Sequence, residues 1–408
     1  MESSYISRQP IVNAHGKVFA YDLHYPKTQG SPDAQITASL INDLQSAFGI
    51  DTIVGKKIGF VRVDRAFIQH ELLSLLPKEK FVYAIMENVQ IDEALRQRIE
   101  KLSNDGFVFA LNDMVFDEEK WENFSPILPW IRYVKVDLTL SDLAHQHRYL
   151  KRLMERGIIL VGAKIESHDI HAQCRAMGLL YFQGYFISKP KVMENASFSL
   201  EQEGVVSLWN LLQTEASIDK LVQAFELNHM LTLKLIRFIN SAIFALRNPV
   251  SSIRHVLTLM GREPLARWIM LLMFSEAERS NQNTIPLMLM VVNRTELMTK
   301  LLELIEPSAT RQQKATAYFV GMLSLIHLLF HIPHREALRR LNVAPELERA
   351  LFEGDGFYGE LLTMVRSIEM LDVDAIEQFL VKHGIEHCLL EPIIRETMEK
   401  VNQFDEMM

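Results

Sequence analysis

The stretch FVFALND (107–113) is a short apolar run that ends in polar residues, and YVKVD (133–137) repeats this arrangement after a helical segment. Runs of this kind alternate with helical patterns such as DEALRQRIEKLS (92–103) and LSDLAHQHRYLKRLMERG (140–157). The alternation predicts parallel strands that are joined by crossover helices. The other β-like runs are KVFAYDL (17–23), KIGFVRV (57–63), FVYAIM (81–86), GIILVGA (157–163) and LLYFQGYFI (179–187).

Seven such runs in one region favour a (β/α)8 barrel over a doubly wound sheet, because no Gly-rich phosphate loop follows any of them. Polar side chains recur near the ends of the runs, about one βα unit apart. The carboxyl ends of barrel strands meet at one mouth, so these side chains indicate a site there. The competing explanation is that strand ends are polar because loops begin there. The residues are Asp22, Arg62, Glu87, Asp113, Lys135 and Gln183, with Ala163 as the apolar exception.

The second half of the chain has a different pattern. From about residue 196 the strand signal stops, and segments such as IDKLVQAFEL and KATAYFVGMLSLIHLLF show helical periodicity. The sequence therefore predicts two domains: an α/β barrel at residues 1–195 and an all-helical domain at residues 196–408.

Composition limits the classes of function. The 408 residues are 48% hydrophobic and 23% charged with a net charge of −8, which is typical of a globular protein. Neither half is basic, which argues against nucleic acid or an anionic membrane as the main partner. Two cysteines, Cys174 and Cys388, allow no Cys-based zinc site and suit a reducing cytoplasm. The opening MESSYISRQP does not resemble a signal peptide, and the apolar runs are too short to span a bilayer.

Several motifs then resemble known families. RQPIVNAHGKVFAYDL (8–23) resembles the opening of EAL domains, the barrel of cyclic-di-GMP phosphodiesterases. Further EAL-like motifs follow in the family's order: FVRVD (60–64), IMEN (85–88), FALND (109–113), VKVD (134–137), GAKIE (162–166) and QGYFISKP (183–190). The second half resembles the helical HDOD domain through NSAIFAL (240–246), SIRHVLTLMG (252–261) and AYFVGMLSL (317–325). The resemblance implies a bacterial signalling protein with a TIM-like EAL barrel followed by an HDOD domain.

The same resemblance implies a degenerate site. Active EAL enzymes use two divalent cations, which need several converging oxygen ligands. The signature Glu falls on Asp22, a metal-binding Asn falls on Arg62, and the general-base Glu falls on Ala163. A guanidinium has no lone pair for a metal, and alanine cannot accept a proton.

Other positions of the motif are partly retained. The first of the paired aspartates becomes Asn112, and a phosphate-binding Arg is replaced by the segment Tyr25-Pro26-Lys27. The positions that keep the family's residue type are Glu87, Asp113, Lys135, Glu166 and Gln183. We expect a vestigial pocket with no intact catalytic set, no metal and no cofactor.

The helical half is also expected to lack a metal. Ser324-Leu325 stands where related phosphohydrolases have a His-Asp pair. His327, His331 and His334 are spaced so that a metal could be considered. However, Pro333 interrupts the helix and the surroundings are apolar, which favours structural histidines.

The function expected from these features is a non-enzymatic signalling or scaffold protein in the bacterial cytoplasm. It would act through protein–protein contacts in the regulation of motility, pilus or biofilm behaviour. One alternative is an effector that binds cyclic di-GMP or another nucleotide without hydrolysis, and another is a weak cyclic-di-GMP phosphodiesterase. Binding of nucleic acid and insertion into a membrane are not expected.

Overall fold

In the computed structural model, eight strands form a closed barrel in the order in which they occur in the chain. The described residues are 6–24, 49–71, 73, 76–137, 143–184, 200–214, 216–227, 231–232, 235, 252–262, 264–266, 268–269, 272, 284–330, 333–341 and 343–407. The strands are β1 Ser7–Asn13, β2 Val18–His24, β3 Ile58–Val63, β4 Phe81–Ile85, β5 Val108–Met114, β6 Ile131–Asp137, β7 Ile159–Ala163 and β8 Tyr181–Phe182. The predicted barrel and the helical second half are both confirmed.

The first strand differs from the prediction of seven parallel strands. β1 is an eighth strand, and it pairs antiparallel with both β2 and β8, whereas the remaining neighbours are parallel. A tight turn joins β1 to β2, in which Asn13 Oδ1 accepts hydrogen bonds from the backbone N–H groups of His15 and Lys17. Gly16 has φ 73°, which glycine adopts without steric cost.

The helices around the barrel begin directly after strands. The Asp64, Asp92 and Asp117 carboxylates and the Ser167 hydroxyl each accept a backbone N–H of the first helical turn, which ends the strand-to-helix loop. These and the neighbouring helices are α1 Ile50–Val54, α2 Arg65–Gln69, α3 Glu93–Asn104, α4 Glu118–Phe124, α5 Leu143–Glu155 and α6 His168–Ala176, with a 3-10 helix at Ser125–Trp130.

The barrel interior is a packed apolar core rather than a channel. Small and large side chains from six strands fill it, and all are almost completely excluded from solvent. The cluster consists of Ile11, Ala20, Phe60, Val82, Ala84, Ala110 and Val161. Because this plug fills the interior, polar chemistry is confined to the mouth above it.

The second half of the chain is helical wherever its secondary structure is described. Its helices are α7 Leu200–Gln213, α8 Ile218–Leu227, α9 Ile253–Met260, α10 Thr284–Ile305, α11 Arg311–Leu323, α12 Ile326–Phe330, α13 His334–Arg340, α14 Pro345–Glu353, α15 Gly356–Met370, α16 Val373–His383 and α17 His387–Met407. Three segments named from the sequence lie outside the described residues: Tyr25-Pro26-Lys27, the 185–190 part of QGYFISKP, and 240–246. None of the helices in the described part combines the length and apolar character needed to cross a membrane.

Two compact units are formed from interleaved segments. The unit that contains the barrel consists of Met1–Lys189, Ile285–Ala309 and Leu361–Met408, and the other consists of Pro190–Thr284 and Thr310–Glu360. The division into domains at residues 1–195 and 196–408 stays a prediction.

Helix α17 packs against the barrel within its own unit. The Arg8 guanidinium of β1 donates to Asn402 Oδ1 at 2.7 Å, and the Asn402 amide donates to the carbonyl of Thr52 at 2.7 Å. Lys57 Nζ lies 3.1 Å from Asp405 Oδ2. The last described helix of the chain thus stabilises the first strand.

Candidate functional site

A buried carboxylate lies at the centre of the barrel mouth. Asp22, near the end of β2, is completely excluded from solvent, as is the Lys135 ammonium of β6, and the two groups are 2.7 Å apart. The same oxygen, Asp22 Oδ2, accepts a hydrogen bond from Gln183 Nε2 at 2.9 Å and lies 3.1 Å from His24 Nε2. The predicted proximity of Asp22, Lys135 and Gln183 is therefore present in the structure.

The charge state of Asp22 follows from these neighbours. Burial alone favours the neutral acid and raises the pKa. The ammonium of Lys135 opposes this most strongly, and His24 and the more distant Arg62 act in the same direction. The net result is a pKa of Asp22 well below its usual range, so the group is a carboxylate at neutral pH.

A β-bulge directs a second carboxylate into the mouth. Leu111 pairs with Val134 and Met114 with Val136, so Asn112 and Asp113 together lie opposite Lys135. Asp113 has φ 47°, in the left-handed region that non-glycine residues seldom adopt. Its Oδ1 lies 3.7 Å from Lys135 Nζ.

A second ion pair, which the sequence reasoning missed, adjoins the first. Lys164 Nζ donates to Asp137 Oδ2 at 2.6 Å and lies 3.5 Å from Asp113 Oδ2. Burial lowers the pKa of Lys164, but the bond to Asp137 and the charge of Asp113 outweigh it, and the net shift is upward. A signal was available, since Lys135 and Asp137 are two residues apart on one strand and therefore point to the same face.

Arg62 faces the carboxylates of Asp22 and Asp113 at distances longer than a hydrogen bond. Its Nη2 lies 3.7 Å from Asp22 Oδ2 and 3.9 Å from Asp113 Oδ2, with 39% of the side chain exposed. Arg62 therefore approaches Asp22 as an ion pair, without bidentate hydrogen bonds. The expected convergence of Glu87 is wrong, because Glu87 is about half exposed and its carboxylate pairs with Lys120 at 2.9 Å.

The remaining predicted positions lie around this network. Ala163, at the end of β7, is buried and is the register partner of Asp137. Asn112 is also buried, and its Oδ1 has no hydrogen-bond partner in the described part of the chain. Glu166 is exposed beyond the end of β7.

The residues present do not fit a site for two divalent cations. Three carboxylates, those of Asp22, Asp113 and Asp137, each have a lysine or arginine nitrogen within 4 Å. These nitrogens supply the positive charge that metal ions would bring, and they would repel a cation. In the described part of the chain, no group of three or more His, Cys, Asp or Glu side chains is arranged to hold a metal.

The histidines of the helical half have structural contacts. The rings of His327 and His334 stack with centroids 4.3 Å apart, and His334 Nε2 lies 2.9 Å from the Leu323 carbonyl oxygen. His331 lies outside the described residues. Ser324, where related folds carry a metal-binding pair, is buried and donates its hydroxyl to the Gly321 carbonyl.

Comparison with known proteins gives a match to a family model and to whole chains. Residues 205–338 match the HDOD domain, which confirms the prediction from the motifs. The chain is 25% identical to the uncharacterized protein YuxH of Bacillus subtilis, over 95% of this chain and 97% of the relative. It is 26% identical to the cyclic di-GMP phosphodiesterase CdgJ of Vibrio cholerae, over 98% of this chain and 92% of the relative.

A solved structure resembles part of the chain. The EAL domain of Mycobacterium smegmatis DcpA is 16% identical, with a TM-score of 0.38, and the match covers 46% of this chain and 92% of that domain.

Proposed function

We propose that this chain, in which a closed α/β barrel is followed by an HDOD domain at residues 205–338, is a signalling protein of the bacterial cytoplasm related to cyclic-di-GMP phosphodiesterases. In this proposal the barrel does not hydrolyse the dinucleotide, and the protein acts through contacts with other proteins. The supporting observation is the fully buried 2.7 Å pair between Asp22 and Lys135. Asp22 stands at the position of the acid that binds metal in an EAL enzyme, and here its charge is paired with Lys135 instead.

The chemistry of the mouth supports the loss of hydrolysis. A phosphodiesterase needs a base to activate water and positive charge on the phosphate oxygens in the transition state. Ala163 supplies no base, and the loss of a general base alone costs about 10²–10⁴ in rate. Arg62 adds a fixed cation where a metal ligand is needed, so the two defects reinforce each other.

Binding of cyclic di-GMP without hydrolysis is a second candidate. Arg62 and Lys164 keep 39% and 49% of their side chains exposed at the mouth, where they could contact phosphate oxygens. The match to CdgJ, which is described as a cyclic di-GMP phosphodiesterase, favours a dinucleotide over other anions and keeps weak hydrolysis as an outcome to be tested.

The test is a hydrolysis assay with cyclic di-GMP in Mg²⁺ and in Mn²⁺, combined with calorimetric titration of the same ligand. We expect no turnover by the wild type or by Ala163→Glu, since the acids of the mouth remain paired with side-chain cations. Turnover that disappears in Asp113→Asn, which removes a carboxylate of the mouth, would show that the barrel is an enzyme.

The titration separates a scaffold from an effector. Arg62→Gln should abolish binding by an effector, whereas Arg65→Gln, which alters an exposed arginine paired with Asp92, should leave it unchanged. Absence of binding by the wild type supports the scaffold. A deletion strain of the source bacterium should then regain its motility or biofilm phenotype equally with wild type and Asp113→Asn.

A further inference from the structure

A cavity of about 410 Å³ lies inside the barrel-containing unit, between the β1–β2 hairpin and three later helices of the same unit. This volume is within the range of small-molecule sites. The helices are α10, the end of α15 and α17. Most of the lining is aliphatic, with contributions from Ile6, Leu289, Met290, Leu297, Ile394 and Met398.

The charged groups of the cavity are not balanced. Among the described residues, three arginines line it but only one carboxylate does, that of Glu369. Arg294 uses this carboxylate fully, because its Nη2 and Nε donate to the two oxygens at 2.6 and 3.1 Å. The other two arginines, Arg8 and Arg366, have no acid of their own at the cavity.

Arg366 is the cation that most needs a partner. It is partly buried, and the carboxylate that attracts it, that of Glu369, is already bound by two nitrogens of Arg294. Burial lowers the pKa of Arg366, the nearby charge of Arg294 lowers it further, and Glu369 only partly compensates. A partly buried cation that shares its counter-charge with a second arginine is incompletely compensated, which is costly.

Two further groups lack complete partners. Among the described residues, the Arg8 guanidinium donates to neutral acceptors, the Asn402 side chain and the carbonyls of Ile53 and Met398, and the carboxylate of Asp405 acts on it only through its charge. The Tyr21 hydroxyl, on a residue that is 3% exposed, has no hydrogen-bond partner among the residues that the structure describes. Buried tyrosine hydroxyls usually have one. The cavity thus has excess positive charge beside an aliphatic wall.

We propose that this cavity binds a small amphipathic anion, a monocarboxylate with an unbranched aliphatic chain, whose carboxylate pairs with Arg366 and whose chain lies against Met290 and Met398. A guanidinium holds a carboxylate with two parallel hydrogen bonds. A nucleotide is a poorer fit, because the rings in the lining are those of Tyr21 and His24, and the Arg8 guanidinium covers the Tyr21 ring at 4.3 Å.

The cavity also adjoins the barrel mouth. His24 lines the cavity and lies 3.1 Å from Asp22 Oδ2. Gln9 lines it as well, and accepts a hydrogen bond from Gln183, which donates to Asp22. An occupant would therefore contact residues that hold the buried Asp22–Lys135 pair. Binding of the anion in this cavity does not depend on whether the mouth binds cyclic di-GMP.

The experiment is isothermal titration of the full chain with decanoate, compared with 1-decanol, inorganic phosphate and AMP. We expect decanoate to bind the wild type and the other three probes not to bind. Arg366→Gln should raise the Kd about tenfold to a hundredfold, the range for a lost charge-assisted hydrogen bond. Arg175→Gln, a matched change at an exposed arginine of α6, should leave the Kd unchanged.

Methionine-methyl NMR locates the ligand and remains informative if Arg366→Gln fails to fold. Decanoate should shift the resonances of Met290 and Met398, and should leave that of Met322, in the other compact unit, in place. Absence of decanoate binding, equal binding of decanol, an unchanged Kd in Arg366→Gln, or shifts that spare both cavity methionines would each overturn the proposal. Tighter binding of AMP or phosphate than of decanoate would also overturn it.

Discussion

Replacement of Lys135 by methionine should strongly destabilise the barrel. The substitution keeps the length and apolar stem of the side chain but removes the ammonium that lies 2.7 Å from Asp22 Oδ2. Asp22 then remains in a site with no solvent exposure, and Gln183 and His24 are its nearest polar partners. Arg62, at 3.7 Å and partly exposed, compensates only weakly.

The magnitude follows from the burial of both partners. Removal of one member of a fully buried ion pair costs about 3–5 kcal/mol, because the other charge is left uncompensated. For a unit of this size, that loss corresponds to a fall in melting temperature of about 6–20 °C. The double variant Asp22→Asn/Lys135→Met removes both charges and should recover a large part of the loss. Lys151→Met, at an exposed lysine of α5, should stay within about 0.5 kcal/mol of wild type.

The pH dependence gives a second test. The pKa of Asp22 is depressed in the folded state, so its pairing contributes full stability above the ordinary value of 3.8 and loses it progressively as the pH falls below that value. In Lys135→Met the pKa of Asp22 is higher, so acidification removes less stability. The difference in free energy of unfolding between wild type and variant should therefore narrow from pH 7 to pH 3.

Calorimetric and urea unfolding of the three variants and wild type at several pH values would measure these differences. A Lys135→Met protein within 1 kcal/mol of wild type at pH 7 would refute the reasoning, and so would a difference that does not change with pH.

Two further predictions concern buried positions of the barrel. Gly184→Ala should destabilise the protein by more than about 2 kcal/mol, because the added Cβ would lie 2.3 Å from both the N and O atoms of Ile165. The control is Gly157→Ala, which has no atom within 4 Å of its added Cβ and should cost about 1 kcal/mol. Equal melting temperatures of the two variants would contradict this prediction. Burial raises the pKa of Cys174 to about 11, so a thiol reagent at pH 8 should quickly label only the exposed Cys388. Rapid labelling of two thiols in the folded protein would count against this prediction.

The alternation of strands and helices was sufficient to predict the barrel, but it did not show the first strand. β1 contains Arg8, Gln9 and Pro10, a combination that lacks the apolar character of the other strands. Proline within a run argues against a central strand. Pairing in this barrel is decided by the tight turn at Asn13 and Gly16, which returns the chain antiparallel to β2.

The positions of site residues were predictable where the two-residue period of a strand determined the direction of their side chains. Asp22 and Lys135 point inward from β2 and β6 because two-residue periodicity places them on the core face. Glu87 lies past the end of β4, where strand period no longer fixes its direction, and it pairs with Lys120 instead. The approach of Lys164 depends on a backbone φ of 54°, which the sequence pattern does not reveal.

The bond between Arg8 and Asn402 also bears on the order in which the protein is made. These residues are separated by 394 positions, and α17 leaves the ribosome long after the eight strands. At a synthesis rate of about 5–20 residues per second, tens of seconds pass between synthesis of the last strand and synthesis of the helix that packs on the first strand. During synthesis, β1 must therefore be held by β2 and β8 alone, with Arg8 still lacking its later partners. Nascent chains stalled before residue 387 should consequently be more susceptible to protease near the β1–β2 hairpin than the released protein.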